Sequence, residues 1–212
     1  DEITYNGINF YVIENSDENS DSVTLLKREP LTVDEVNKYG GVGTENNHVN
    51  MYVTDNTSYS YYQKAYDYNG YGGMAYYSSS TCGVKPGNAG CTTDYAKSEV
   101  KYVVDAWALD KLKANDLKED KTGYSARLIT LDDLVDNLGY TIMDVTTYYA
   151  PTADVTPSWV YNSKYEYYTM NQREDFASRV WLVSDSGGVG NRDVDNYRCS
   201  VRPVITLLKS AI

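Results

Sequence analysis

From Ser158 to Leu208 short apolar runs alternate with polar, turn-forming stretches, and this pattern restricts the fold more than any other feature of the chain. Ser158-Trp159-Val160-Tyr161-Asn162 leads to the aromatic run Tyr165-Glu166-Tyr167-Tyr168-Thr169-Met170. Asn171 to Ser178 is polar, and Arg179-Val180-Trp181-Leu182-Val183 reads as a buried strand. A second polar stretch, Ser184 to Ser200, precedes the closing strand Val201-Arg202-Pro203-Val204-Ile205-Thr206-Leu207-Leu208. Apolar strands with interchangeable polar connections describe a scaffold that carries a binding surface.

The remaining chain supplies the partners such strands need. Asn6-Gly7 between Ile3-Thr4-Tyr5 and the run Ile8 to Ile13 predicts a two-residue hairpin, with a third strand over Ser22 to Leu26. Thr32 and Glu35 have capping-box spacing, so a short helix is expected to start there and stop near Gly40-Gly41. Gly43 to Gly90 is rich in Asn, Tyr, Ser and Gly and reads as long loops with short strands. A long helix capped by Asp94 would bury Val100, Val103, Val104, Trp107 and Ala108, with Lys97, Glu99, Lys101, Asp105, Asp110 and Lys111 on its wet side. Thr130 and Asp133 mark another helix start, Leu131, Leu134, Val135 and Leu138 its buried side, and Gly139 its stop. No composition break divides residues 1–212, and the expectation is one α+β domain of short mixed strands, two or more helices and long loops.

Composition narrows the function. A net charge of −11 argues against nucleic acid and against docking on an anionic membrane, and no apolar run is long enough to insert in a bilayer. The chain holds 23 tyrosines against 2 phenylalanines, a bias that suits half-wet strands and rigid binding surfaces. Cys82 and Cys91 bracket a turn-like loop, and a disulfide there would stabilise by roughly 2–3 kcal/mol. A zinc site would need further ligands, and the only histidine is His48. Cys199 is left over as a free thiol, and the cysteine usage points to an exported protein.

Several motifs together resemble a known group. Arg127-Leu128-Ile129-Thr130-Leu131-Asp132-Asp133-Leu134 resembles a helix start of the formylglycine-generating-enzyme branch of the C-type lectin fold, and the ending Val180-Trp181-Leu182-Val183 with Val201 to Ile205 resembles that branch's closing strand. The start Asn6-Gly7 through Phe10-Tyr11-Val12-Ile13, the segment Ala126 to Thr130 and the ending Val201 to Leu207 are similar to an uncharacterised exported family of Gram-positive gut bacteria and their phages. The resemblance implies a C-type lectin-like fold over the whole chain and a non-catalytic adhesion or receptor-binding module, displayed outside the cell or on a phage particle. Its partner would be a protein or glycan on another cell surface. Relatives of that fold include the variable proteins of diversity-generating retroelements, whose diversified residues lie near the C-terminus. The corresponding face here would span residues 162–200, with Tyr165, Tyr167, Asn171, Arg173, Asp175, Arg192, Asp193, Asp195, Asn196, Tyr197 and Arg198 as ligand contacts.

Catalysis has less to draw on. The branch's oxygenase uses paired cysteines in its C-terminal part, where this chain has Cys199 alone. No G-x-S-x-G elbow accompanies His48, Gly187-Gly188-Val189-Gly190 lacks the lysine of a phosphate loop, and Asp185, Asp193 and Asp195 lack calcium-loop spacing. No enzyme activity, cofactor or metal is therefore expected. The alternative to a binding module is a structural domain of a larger cell-surface or phage tail protein with no ligand of its own.

Overall fold

The computed structural model describes residues 1–14, 20–40, 51–54, 59–62, 66–74, 76, 95–144, 148–173, 176, 179–194 and 199–212. In chain order the elements are β1 (Glu2–Tyr5), β2 (Ile8–Glu14), β3 (Ser22–Lys27), α1 (Val33–Gly40), β4 (Met51–Thr54), β5 (Tyr59–Tyr62), β6 (Tyr66–Tyr68), β7 (Tyr71–Gly73), α2 (Glu99–Lys111), β8 (Ala126–Arg127), β9 (Tyr140–Asp144), β10 (Tyr148–Pro151), β11 (Tyr167–Gln172), β12 (Arg179–Val183), β13 (Val189–Asp193) and β14 (Val204–Leu208). The fold is α+β. One antiparallel sheet has the order β1-β2-β3-β14-β8 and a second the order β11-β12-β13-β10-β9, while β4-β5 and β6-β7 are separate two-stranded pairs. Among the described residues no helix is long and apolar enough to cross a membrane.

Local signals explain most of the elements. Asn6 and Gly7 both adopt positive φ (49° and 75°), which the β1–β2 turn needs and which glycine and asparagine allow at little cost. Thr32 N donates to Glu35 Oε2 (2.8 Å) and Glu35 N to Thr32 Oγ1 (3.2 Å), a reciprocal cap that starts α1. The same pairing recurs when Thr130 N donates to Asp133 Oδ2 (2.8 Å) and Asp133 N to Thr130 Oγ1 (2.9 Å). The helical turn that follows widens to π geometry over Asp133–Asn137 and ends before Gly139, whose φ is 72°. For α2 the cap differs from expectation. Ser98 accepts from Lys101 N (3.0 Å) after a short 3₁₀ turn at Tyr95–Lys97, while Asp94 lies outside the described residues. Glu99, expected on the wet side, is buried in the first turn, where the helix dipole favours a carboxylate.

Two apolar clusters flank the first sheet. Phe10, Val23, Leu25, Ile205 and Leu207 face α1 and α2 and pack with Val36, Val100, Val103, Val104 and Trp107. Ile13, Leu26 and Val204 point the other way, toward Leu131, Leu134, Leu138, Val160 and Tyr140. Strand β12 serves both, because alternation sends Val180 and Leu182 to the first cluster and Trp181 and Val183 to the second. Strand β14 closes the structure between β3 and β8, with Val204 opposite Leu26 and Leu208 opposite Ser22.

Two buried arginines hold these layers together. Arg127 donates from Nε to Asp120 Oδ2 (2.6 Å), from Nη1 to Asp133 Oδ2 (2.6 Å) and from Nη2 to Asp133 Oδ1 (3.2 Å). Arg202, fully buried, uses carbonyls instead: Nε to Lys27 O (2.9 Å), Nη1 to Val160 O (2.9 Å), and Nη2 to Arg28 O (2.9 Å) and Trp159 O (3.0 Å). The guanidinium fork thus joins the end of β3 to the 159–160 segment, and Trp159 stacks on Tyr11 of β2 with ring centroids 4.3 Å apart.

Candidate functional site

The β11–β12 hairpin and its neighbour β13 carry Arg173, Arg192 and Asp193, the described predicted contacts whose charged side chains reach the surface. Arg173 N donates to Arg179 O (3.0 Å), Phe176 N to Arg173 O (3.2 Å) and Arg179 N to Phe176 O (2.9 Å), so Phe176 is tied to both ends of the hairpin at its tip. Its side chain is 47% exposed. The Arg173 guanidinium lies over the Phe176 ring at 4.8 Å and over the Trp181 ring at 5.6 Å, and that of Arg179 lies over Phe176 at 5.2 Å.

Strand register fixes the base of this tip. Arg179 stands opposite Asp193 and Trp181 opposite Asn191, which puts the four on one side of the sheet. Arg179 Nε donates to Asp193 Oδ1 (3.0 Å) and its Nη1 to Asn191 Oδ1 (3.2 Å). An exposed phenylalanine therefore rests on guanidinium groups whose positions are set by a buried tryptophan, a carboxylate and an amide.

The predicted contacts divide. Arg173 and Asp193 belong to this face. Arg192 is one register step over, on the opposite side of β13, where its Nη2 donates to Glu166 Oε1 (3.0 Å). Asn171 is structural, its Oδ1 accepting from Leu131 N (2.9 Å) at the start of the 131–137 helical turn. Tyr165 and Tyr167 require correction: they are 2% and 0% exposed and cannot form part of a surface in this fold. Tyr167 Oη donates to Val160 O (2.6 Å), and the Arg202 guanidinium lies 5.0 Å from its ring and 6.0 Å from that of Tyr165. Burial pushes the Tyr167 hydroxyl up to about 12 and raises that of Tyr165 as well.

Asp175, Asp195, Asn196, Tyr197, Arg198, His48 and the cysteine pair Cys82 and Cys91 lie outside the described residues. Cys199 is free and buried, and burial raises its thiol far above the ordinary range. Asp185 lies in the turn before β13 and Asp193 at the strand's far end, so register separates them.

Phe176, Arg179 and Asn191 were absent from the expected contacts. A signal for Phe176 did exist: the chain has 2 phenylalanines, and this one interrupts a polar stretch. No family model, curated protein or solved structure matches this chain.

Proposed function

We propose that this chain is a non-catalytic recognition module of C-type lectin-like fold, displayed on a cell surface or phage particle, and that its β11–β13 face grips a protein or glycan. The observation that carries this reading is Phe176, half exposed at a hairpin tip yet held by Arg173 and Arg179, the first of which also lies over Trp181. Aromatic and arginine side chains supply most of the energy in interaction hot spots, and a ring that is already fixed loses little entropy on binding. The lectin-like assignment draws support from β14, which returns the end of the chain to the sheet begun by β1 to β3. With the ends joined in that way, the intervening chain is free to vary at its polar connections, and Arg173, Arg192 and Asp193 are the described positions where retroelement diversification would act.

The test is a screen of the purified chain on immobilised glycans and cell-surface proteins, repeated with Phe176→Ala and Arg179→Ala. The module reading expects a wild-type signal that both variants lose at an unchanged melting temperature. A ligand bound equally by all three would move the site elsewhere. The alternative, a structural domain without a ligand, is favoured by the internal pairing of Arg179 with Asp193 and of Arg192 with Glu166. Silence on both arrays would select it.

A further inference from the structure

A second site stands apart from the Phe176 face, on the first sheet. Glu14 of β2 is opposite Thr24 of β3, and Thr24 is opposite Thr206 of β14, so a carboxylate and two hydroxyl side chains form one rung across three neighbouring strands. The next rung on the same side is Leu26 with Val204, which is apolar and covered by the second cluster. The change from apolar to polar coincides with a groove of about 210 Å³, lined by this rung together with Ser20, Ser22 and the loop Glu119-Asp120-Lys121.

Thr24 and Thr206 are 4% and 3% exposed, and their Oγ1 atoms are 3.2 Å apart. Valine would fill the same space and suits a strand equally well, so packing alone does not ask for two hydroxyls there. A bond between the two uses one of their two protons, and no other hydrogen bond of either hydroxyl occurs among the described residues. The second proton is left for an acceptor in the groove.

The wall of the groove is fixed as well. Asp120 Oδ2 accepts from Arg127 Nε (2.6 Å), and its Oδ1 accepts from Thr122 N (2.8 Å) and Thr122 Oγ1 (2.5 Å). The buried Arg127 ion pair thus sets the loop that carries Glu119.

We propose that this groove binds a small, hydroxyl-rich molecule the size of one sugar ring, neutral or amine-bearing. Among the described residues its lining is hydroxyl, carboxylate and a lysine, with no aromatic ring, so recognition proceeds by hydrogen bonds and not by stacking. The volume is below the roughly 300–1,000 Å³ of drug-sized pockets, which limits the ligand to a single ring. With Asp120 paired to Arg127, Glu14 and Glu119 outweigh Lys121 and, with the net charge of −11, oppose an anionic ligand.

The experiment is saturation-transfer NMR on the whole chain with D-glucose, D-galactose and D-mannose, using D-glucosamine and D-glucuronate as charge probes. Expected is transfer to at least one neutral hexose or to glucosamine, with glucuronate weakest. In Thr24→Val/Thr206→Val binding should weaken by about tenfold or more while the melting temperature holds or rises. Glu119→Gln, a change on the exposed rim, should narrow the gap between glucosamine and glucuronate and supplies the test if the double variant misfolds. Absence of transfer to every probe, transfer that survives loss of both hydroxyls, or equal binding of glucuronate overturns the proposal. Methyl glycosides that bind as well as the free sugars would assign the groove to the terminal residue of a glycan, and binding of reducing sugars alone would assign it to a free sugar.

Discussion

Arg202 and Arg179 both lie against aromatic rings, but their surroundings give them opposite roles. Arg202 is in the interior, its guanidinium divided among four carbonyl oxygens from two distant segments, with Tyr165 and Tyr167 packed against it. Arg179 is half exposed, tied by one carboxylate and one amide, and sits over a ring that is open to solvent. A buried cation that satisfies carbonyls cannot be removed without leaving those carbonyls dry, whereas a surface pair exchanges its partner for water. The first is a joint of the frame and the second lies at the surface. Tyrosine divides from phenylalanine here in the same way: the tyrosines beside Arg202 are interior, and the phenylalanine beside Arg179 is not.

Four substitutions sharpen this contrast, and the largest effect belongs to Arg202. Arg202→Met takes the guanidinium donor from the Lys27, Arg28 and Trp159 carbonyls and leaves Val160 O with Tyr167 Oη alone, and should cost about 4 kcal/mol or more, read by urea unfolding. Tyr167→Ala should cost about 3–5 kcal/mol for the lost ring, and Tyr167→Phe about 1 kcal/mol for the bond to Val160 O alone, separable by the same titration. If Tyr167→Ala unfolds normally, the tyrosine is not part of the frame. Cys199 should resist a thiol reagent at pH 8 in the folded chain and react at once in denaturant, because burial holds it as the neutral thiol. Rapid labelling of the native chain would show that this strand connection opens. Arg179→Ala should change stability by no more than about 1 kcal/mol, since its ion pair with Asp193 is exposed.

Features set by short-range chemistry were legible in the chain. The Asn6-Gly7 hairpin, the caps at Thr32 and Thr130 and the α2 stripe from Val100 to Ala108 lie where spacing and turn chemistry put them, and the closing strand begins at Val204 where Val201 was expected. Arg202 looked like one more residue of a strand because its partners are backbone carbonyls at 27–28 and 159–160, which leave no mark on side-chain pattern. A tyrosine-rich strand suggests one wet side, which is why Tyr165 and Tyr167 look like surface residues in the sequence. In fact β11 is covered on both sides, with Tyr167 in one cluster and Tyr168 in the other, and its register shifts between Tyr168 and Gln172. Alternation cannot reveal exposure in such a strand. At the candidate site Arg173 and Asp193 could be read from their polar stretches; Phe176 was marked as a rare phenylalanine in a polar stretch, but its exposure was not, since a lone aromatic in a loop looks the same whether it folds inward or stays at a tip.

The division between frame and face is tested most directly by thermal melts of Arg202→Met and Phe176→Ala beside the wild-type chain. At about 2–4 °C per kcal/mol for a chain of this size, Arg202→Met should melt at least about 8 °C lower, and Phe176→Ala should stay within about 2 °C. A Phe176→Ala variant that melts as low as Arg202→Met would make the hairpin tip part of the core and contradict its assignment as a recognition surface.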